Sequence, residues 1–238
     1  SGADTSLISV VGFPGFAPLK ESICHGLKTC VANKESIVCG GAAIRALLEQ
    51  HNARLYPVDS EHSAIFQCLE GNRDKEIRRI LLTCSGGPFR TWEKGEIAKA
   101  TVEQAIKHPK WNMGTKISID SATLANKGLE VLEARWLFDV PVEQVEVIVH
   151  PESIVHSMVE YQDRSILAQM GVPDMKLPIQ YALCYPDRKF LAGERLDFAR
   201  LAQITFEDPD MENFPGLRLA YEAGAAGGSM PTVYNAAN

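Results

Sequence analysis

Apolar residues along this chain fall into short β-branched runs and longer stretches that recur at helical spacing. Leu7 to Val11 is the first short run. It closes at Gly12-Phe13-Pro14-Gly15, and Pro18 suits the opening of a helix that continues through Ser22 to Leu27. Thr29 to Ala32 predicts a second strand, and Ser36 to Gln50 a helix with Ile37, Ala42, Ile44, Leu47 and Leu48 as its apolar positions. Arg54 to Val58 predicts a third strand, delivering Asp59-Ser60-Glu61-His62 at its carboxyl end. Strands and helices alternating this way read as an α/β unit with parallel strands.

Ser63 to Leu69 predicts a short helix, Glu70 to Lys75 a polar connector, and Arg79 to Cys84 a strand that empties into Ser85-Gly86-Gly87-Pro88. Thr101 to Ile106 reads as helical, whereas Pro109, Asn112 and Gly114 break any period in His108 to Gly114. Lys116 to Ile119 reads as a brief strand. Asp120-Ser121 then caps a long helix to Phe138, buried along Ala125, Leu129, Leu132 and Trp136. Val145 to Val149 predicts a strand, while Ile154 to Tyr161 and Ser165 to Gln169 predict a hairpin turning at Asp163-Arg164. Prolines divide the remainder, leaving helices at Ile179 to Leu183, Leu217 to Ala223 and one opening at Pro231. A mixed sheet covered by helices is implied for this second part.

The 238 residues are 45% hydrophobic and 23% charged, a globular composition rather than a disordered one. The net charge of −6 disfavours a general nucleic-acid surface. No apolar run reaches the roughly 20 residues that cross a bilayer, and no leader signature stands at the start, although a cleaved transit peptide stays open. The six cysteines form no CxxC pair and read as reduced packing residues.

The candidate chemistry is acidic and phosphate-directed. Asp59 and Glu61, two apart in an extended segment, point the same way and invite a divalent cation, although Asp-Ser-Glu is also an ordinary solvated turn. On the predicted long helix Asn126, Lys127 and Glu130 share a flank away from Leu129 and Leu132; a solvent face with a Lys127–Glu130 pair is the alternative. Gly128 beside them marks close packing or ligand approach. Ser85-Gly86-Gly87 after a strand has the makings of an anion cradle, and Ser121 at a helix start is either a second anion site or simply a cap. The His108 to Gly114 loop, with Trp111 and Met113, reads as a lid or as a loop with an aromatic anchor. His150 and His156 lack the spacing of a zinc helix and read as core or supporting histidines.

The segments ANKES (Ala32 to Ser36), PVDSEHSAIFQ (Pro57 to Gln67), LLTCSGGPFR (Leu81 to Arg90), His108 to Val140 and His150 to Met175 together resemble the 1-deoxy-D-xylulose 5-phosphate reductoisomerase family over essentially the whole chain. The resemblance implies an α/β fold: a remnant of a parallel-sheet dinucleotide-binding domain at 1–58, an α+β metal- and substrate-binding domain at 59–205, and a linker with the start of a further region at 206–238. It implies NADPH, with Mn²⁺ or Mg²⁺ (Co²⁺ as a further choice) held by Asp59, Glu61 and Glu130. Catalytic roles pass to those three with Lys127 and His108. Ser60 and Lys127 would touch the substrate backbone, and Ser85, Ser121, Asn126, Lys127 and His108 its phosphate end, under a lid carrying Trp111 and Met113. Asn33, Lys34, Glu35 and Met113 correspond to positions near the nicotinamide cofactor, and His150 to a histidine near the active site.

The implied reaction converts 1-deoxy-D-xylulose 5-phosphate to 2-C-methyl-D-erythritol 4-phosphate by isomerisation and hydride transfer, on the non-mevalonate isoprenoid route. A phosphosugar substrate, a homodimer, no nucleic acid and no membrane are expected, in a bacterial cytoplasm or a plastid or apicoplast. Two departures qualify this. No Gly-rich dinucleotide fingerprint is present, because Gly12-Phe13-Pro14-Gly15 has the wrong spacing and Pro14 lacks an N–H. The family's C-terminal helical domain is also expected to be missing, and the 238-residue chain is expected to be a fragment inactive in NADPH-dependent reduction by itself. The competing readings are a silent folded fragment that binds metal and phosphate, and a metal-dependent phosphosugar isomerase or phosphatase without redox chemistry.

Overall fold

The computed structural model describes residues 2–72, 76–111 and 113–238, so part of the expected Glu70 to Lys75 connector, and Asn112 of the breaker-rich loop, lie outside the described residues. The first part alternates β1 (Thr5–Ile8), α1 (Phe16–Cys24), β2 (Lys28–Val31), α2 (Lys34–Gln50) and β3 (Leu55–Pro57). Its strands form a three-stranded parallel sheet in the order β1-β2-β3, with Leu7 opposite Cys30 and Cys30 opposite Tyr56. Ile8, Leu19, Ile23, Val31, Ile37, Ile44 and Leu55 pack into one apolar core between this sheet and its helices. The first strand sits earlier than Leu7 to Val11 predicts, because Gly12 adopts a positive φ and Phe13–Gly15 coils into a 3-10 turn. The helix after it likewise begins before Ser22 and ends before Gly26, itself in a positive-φ conformation.

After α3 (Ser60–Cys68) come β4 (Ile77–Cys84), α4 (Lys94–Ile97), α5 (Val102–Ala105), α6 (Thr115–Ala122), α7 (Ala125–Phe138), β5 (Val145–Val149), β6 (Val155–Tyr161) and β7 (Ile166–Met170). The chain finishes with α8 (Lys176–Cys184), α9 (Phe198–Leu201), α10 (Pro215–Ala226) and α11 (Met230–Ala237). The second sheet is mixed, in the order β5-β4-β6-β7: β5 runs parallel to β4, while β6 and β7 form the antiparallel hairpin. Its core includes Ile80, Leu82, Val131, Val147 and Val159. The β4–β6 ladder runs as far as Leu81 opposite Met158. Beyond it hydroxyls take over: Thr83 Oγ1 donates to the Val155 carbonyl at 2.8 Å, and the Thr83 N–H donates to Ser157 Oγ at 3.3 Å. The strand ends therefore part beyond Leu81, just before the Ser85-Gly86-Gly87 turn.

The structure departs from the sequence reading at residues 116–121 and 59–61. Lys116 to Ile119 is helix, not strand: Ser118 Oγ donates back to the Gly114 carbonyl, and Lys116 pairs with Asp120 one turn on. Ser121 consequently lies in the last turn of α6 rather than at a helix start; the chain breaks at Leu124, in a left-handed conformation, before α7 begins. Asp59-Ser60-Glu61 is not the end of an extended strand either. Asp59 is the N-cap of α3, accepting from the Glu61 N–H at 3.2 Å, and Ser60 and Glu61 form the first turn. The close-packing alternative holds at Gly128, where a Cβ would collide with the Tyr234 hydroxyl of α11 and with Ala220 of α10. All six cysteines are free, and among the described residues no helix is long and apolar enough to cross a membrane.

Candidate active site

The parted ends of β4 and β6 open into a cavity of about 250 Å³. Its wall contains Asp59, Ser60, Glu61, Ser85, His108, Trp111, Met113, Ser121, Asn126, Lys127, Glu130 and His150. Of the residues singled out in the sequence, the cofactor candidates Asn33, Lys34 and Glu35 are not in that wall. Asn33 is fully engaged in architecture: it accepts from the Ser36 N–H as N-cap of α2 and donates to the carbonyls of Val10 and Gly12. Gly86 of the expected anion cradle and His156, read as a core or supporting histidine, also line the cavity, and Ser153 and Met175 join them with no motif in the sequence to mark them.

Oxygens of Asp59, Glu61 and Glu130 lie within 4.8 Å of one another, although Glu130 is far away in sequence. α3 supplies the first two from its N-terminal turn, and α7 the third from its second turn. The solvent-face alternative for the α7 flank is overturned, since Lys127 and Glu130 are buried. Two ammonium groups interleave the carboxylates. Lys34 Nζ contacts Asp59 Oδ2 at 3.0 Å, Glu130 Oε1 at 3.0 Å and Asn126 Oδ1 at 2.8 Å. Lys127 Nζ contacts Glu61 Oε1 at 3.0 Å and Glu130 Oε2 at 2.5 Å. Ser60 Oγ donates to Glu61 Oε2 at 2.6 Å.

Burial and pairing set the charges. Burial pushes the Asp59 carboxyl up, but Lys34 and then His62 outweigh it and hold the group well below the usual carboxylate range. Burial wins at Glu61, raised to about 7 despite Lys127. Lys34 and Lys127 are held above the usual lysine value, because their carboxylate partners outweigh desolvation. Positive charge thus stands among three carboxylates at close range. An all-oxygen set of this kind fits a hard divalent cation such as Mg²⁺ or Mn²⁺.

The same cavity has a second, anion-suited group of residues in its wall. His108 Nδ1 accepts from the backbone N–H groups of Lys110 at 3.2 Å and Trp111 at 2.9 Å, which leaves the proton on Nε2, 2.8 Å from Ser85 Oγ. Burial and then Lys127 pull the imidazole down to about 4, so it is neutral at physiological pH. Ser85 Oγ accepts from His108 and from the Gly87 N–H at 3.2 Å, and its own hydrogen remains available to a ligand. Gly87 has φ +74°, and a Cβ there would strike the Ser121 carbonyl, which is why glycine closes this turn against α6. Trp111 leans on His156 at 6.2 Å between ring centroids. His150 has a bracing role: Nδ1 donates to the Thr205 carbonyl at 2.8 Å, and Nε2 accepts from Ile154 and Val155 at 3.1 Å.

Hard carboxylates and a hydroxyl- and glycine-lined turn in one cavity have the chemistry to suit a small anionic ligand together with a divalent cation. Residues 1–41 match the 1-deoxy-D-xylulose 5-phosphate reductoisomerase family, residues 55–138 its C-terminal domain family, and residues 170–238 the DXP reductoisomerase C-terminal domain family. The chain is 58% identical over 236 residues to the 1-deoxy-D-xylulose 5-phosphate reductoisomerase of Lachnospira eligens, covering 99% of this chain and 62% of that protein. It is 56% identical to that of Chloroherpeton thalassium over 238 residues, covering 100% and 62%. The Zymomonas mobilis reductoisomerase solved with NADPH superposes with a TM-score of 0.91 at 49% identity, over 99% of this chain and 61% of that one. A DOX-P reductoisomerase solved with NADPH, fosmidomycin and magnesium also gives 0.91, at 41% identity over 95% and 58%. This chain belongs to the 1-deoxy-D-xylulose 5-phosphate reductoisomerase family, and it spans about three fifths of the length of the relatives it matches.

Proposed function

We propose that this chain supplies the metal- and substrate-binding part of an NADPH-dependent reductoisomerase that converts 1-deoxy-D-xylulose 5-phosphate to 2-C-methyl-D-erythritol 4-phosphate. The observation that carries the reading is the convergence of Asp59, Glu61 and Glu130 in one cavity with the Ser85–His108 pair. Asp59, Glu61 and Glu130 would hold Mg²⁺ or Mn²⁺, which when bound offers Lewis-acid stabilisation to charge developing on neighbouring substrate oxygens. Lys127 and Ser60 orient the substrate backbone. Ser85, Ser121, Asn126 and the glycine turn receive the phosphate, while neutral His108 keeps Ser85 aimed as a donor. Trp111 and Met113 cover the ligand and exclude water. Lys34 borders both the carboxylates and, with Asn33, Glu35 and Met113, the expected nicotinamide end.

The same reading divides the chain at 58/59 and 205/206, pairs two copies as a homodimer and places the protein in a bacterial cytoplasm or in a plastid or apicoplast. Calorimetry with fosmidomycin, which a solved relative binds alongside magnesium, tests it: binding should require Mn²⁺ and vanish in Glu130→Gln. Metal-independent binding would refute the reading. Conversion of 1-deoxy-D-xylulose 5-phosphate without oxidation of NADPH would move it to a non-redox isomerase.

A further inference from the structure

Beside the converging carboxylates lies a second group of buried polar side chains, outside the cavity wall. His62 and Glu133 are 0% and 1% exposed, and neither belongs to the cavity wall. Each follows one of the converging carboxylates on its own helix, His62 next to Glu61 on α3 and Glu133 one turn after Glu130 on α7.

His62 Nε2 lies 3.0 Å from the backbone carbonyl of Glu130. A carbonyl only accepts, so Nε2 carries a hydrogen, and Nδ1 is turned inward. There it faces Asp59 Oδ1 and Glu133 Oε2, each at 3.5 Å. Among the described residues neither His62 Nδ1 nor Glu133 Oε2 has a hydrogen-bond partner, an arrangement that buried polar atoms rarely tolerate without a purpose. Phe138 stacks on the imidazole at 6.1 Å with an interplanar angle of 14°, which fixes the ring plane.

The two helices are supported separately, α3 by β6 and β7, and α7 by α2 and α10. His62 joins them at the point that matters: it grows from α3 beside two of the converging carboxylates and bonds α7 at the backbone of the third. We propose that Glu133 and His62 are a positioning pair, Glu133 orienting the imidazole and the imidazole holding Asp59 and Glu130 at the separation that a hard divalent cation requires. This deepens the metal reading above and rests on it. The ligand atoms of Asp59, His62 and Glu133 also lie within 4.8 Å of one another. Asp59 is shared with the set that lines the cavity, whereas His62 and Glu133 are buried outside its wall, which favours positioning over a cation of their own.

The test is Mn²⁺ binding to the protein, followed by loss of the free-ion electron paramagnetic resonance signal, with thermal melting to verify folding. Wild type should bind one Mn²⁺ per chain, and Glu130→Gln should abolish it. Glu133→Gln and His62→Asn should weaken affinity about tenfold or more, as loss of a ligand-supporting partner generally does, and broaden the bound-ion spectrum. His62→Gln, whose amide nitrogen can still donate to the Glu130 carbonyl, should recover part of the loss. Wild-type affinity and line shape in folded Glu133→Gln would overturn the pair and leave the metal reading standing. No Mn²⁺ bound by wild type would overturn both, and a second Mn²⁺ per chain that Glu133→Gln removes would replace positioning with a second cation site. Should these variants not fold, Mg²⁺ saturation of wild type labelled with ¹⁵N-histidine decides: the His62 Nδ1 resonance should shift, and an unmoved resonance overturns the proposal.

Discussion

Leu19 and Ile23 in the parallel-sheet part and Lys127 and Glu130 in the mixed-sheet part are buried to nearly the same degree, for opposite reasons. Around the first pair hydrocarbon meets hydrocarbon, and each square ångström removed from water stabilises the fold by roughly 25 cal/mol. Around the second, Asp59, Glu61, Glu130 and Glu133 interleave with Lys34, Lys127 and His62, an arrangement whose desolvation consumes stability. The apolar region is a frame, and the charged region is what the frame holds in place. α2 belongs to both, since Ile37 and Ile44 enter the core while Lys34, in its first turn, reaches the carboxylates.

The largest expected effect breaks the charged side. Glu130→Gln leaves Lys34 and Lys127 without their shared counter-charge, and removing one partner from a buried ionic network costs about 3–5 kcal/mol. Urea unfolding in the presence of a chelator measures it; a loss below about 1 kcal/mol, the worth of an exposed pair, would mean that the cluster is hydrated. On the apolar side Leu19→Ala should cost about 3 kcal/mol through cavity formation. Mn²⁺ affinity should not change with it. A coupled fall in affinity would dissolve the distinction between frame and site.

The seam between the regions should respond less. Gly128→Ala drives a methyl group toward the Tyr234 hydroxyl, an overpacking worth about 1–3 kcal/mol. Adding Tyr234→Phe should restore part of that loss, and an additive pair in the double-mutant cycle would place the collision elsewhere. The remaining effect is a pH slope at His108. Its folded value of about 4 lies below its ordinary 6.5, so the folded protein binds fewer protons than the unfolded chain between those values. Stability from this group is therefore complete above pH 6.5 and is lost as pH falls toward 4. His108→Gln, which retains a donor toward Ser85, should flatten the wild-type difference between melts at pH 4.5 and pH 7; an unchanged slope would assign it to other groups.

Patterns of local origin were legible in the sequence. The run Arg79 to Cys84, the stripe on Ser36 to Gln50 and the hairpin about Asp163-Arg164 each carry their own period, and each forms nearly where it reads. Lys116 to Ile119 misled because two isoleucines outweigh a short helix's weak signal; the Lys116–Asp120 spacing and Ser118 are the i,i+4 cues that point the other way. At Asp59 the capping role of an aspartate before an apolar helical stretch was the missed signal. The convergence of Glu130 with Asp59 and Glu61 was anticipated from residue chemistry and family likeness. His62 and Glu133 were not, because nothing in their own neighbourhoods announces a contact made across two helices. At Gly128 the sequence signals close packing or ligand approach but not the neighbour, since Tyr234 lies on the last helix.

The proposed function requires three carboxylates to form one cation site beside an anion pocket. Anomalous diffraction at the manganese edge from crystals grown with Mn²⁺ tests this most directly. One peak is predicted about 2.1 Å, the bond length of a small hard cation, from oxygens of Asp59, Glu61 and Glu130. A strong peak elsewhere with none among these carboxylates would contradict it.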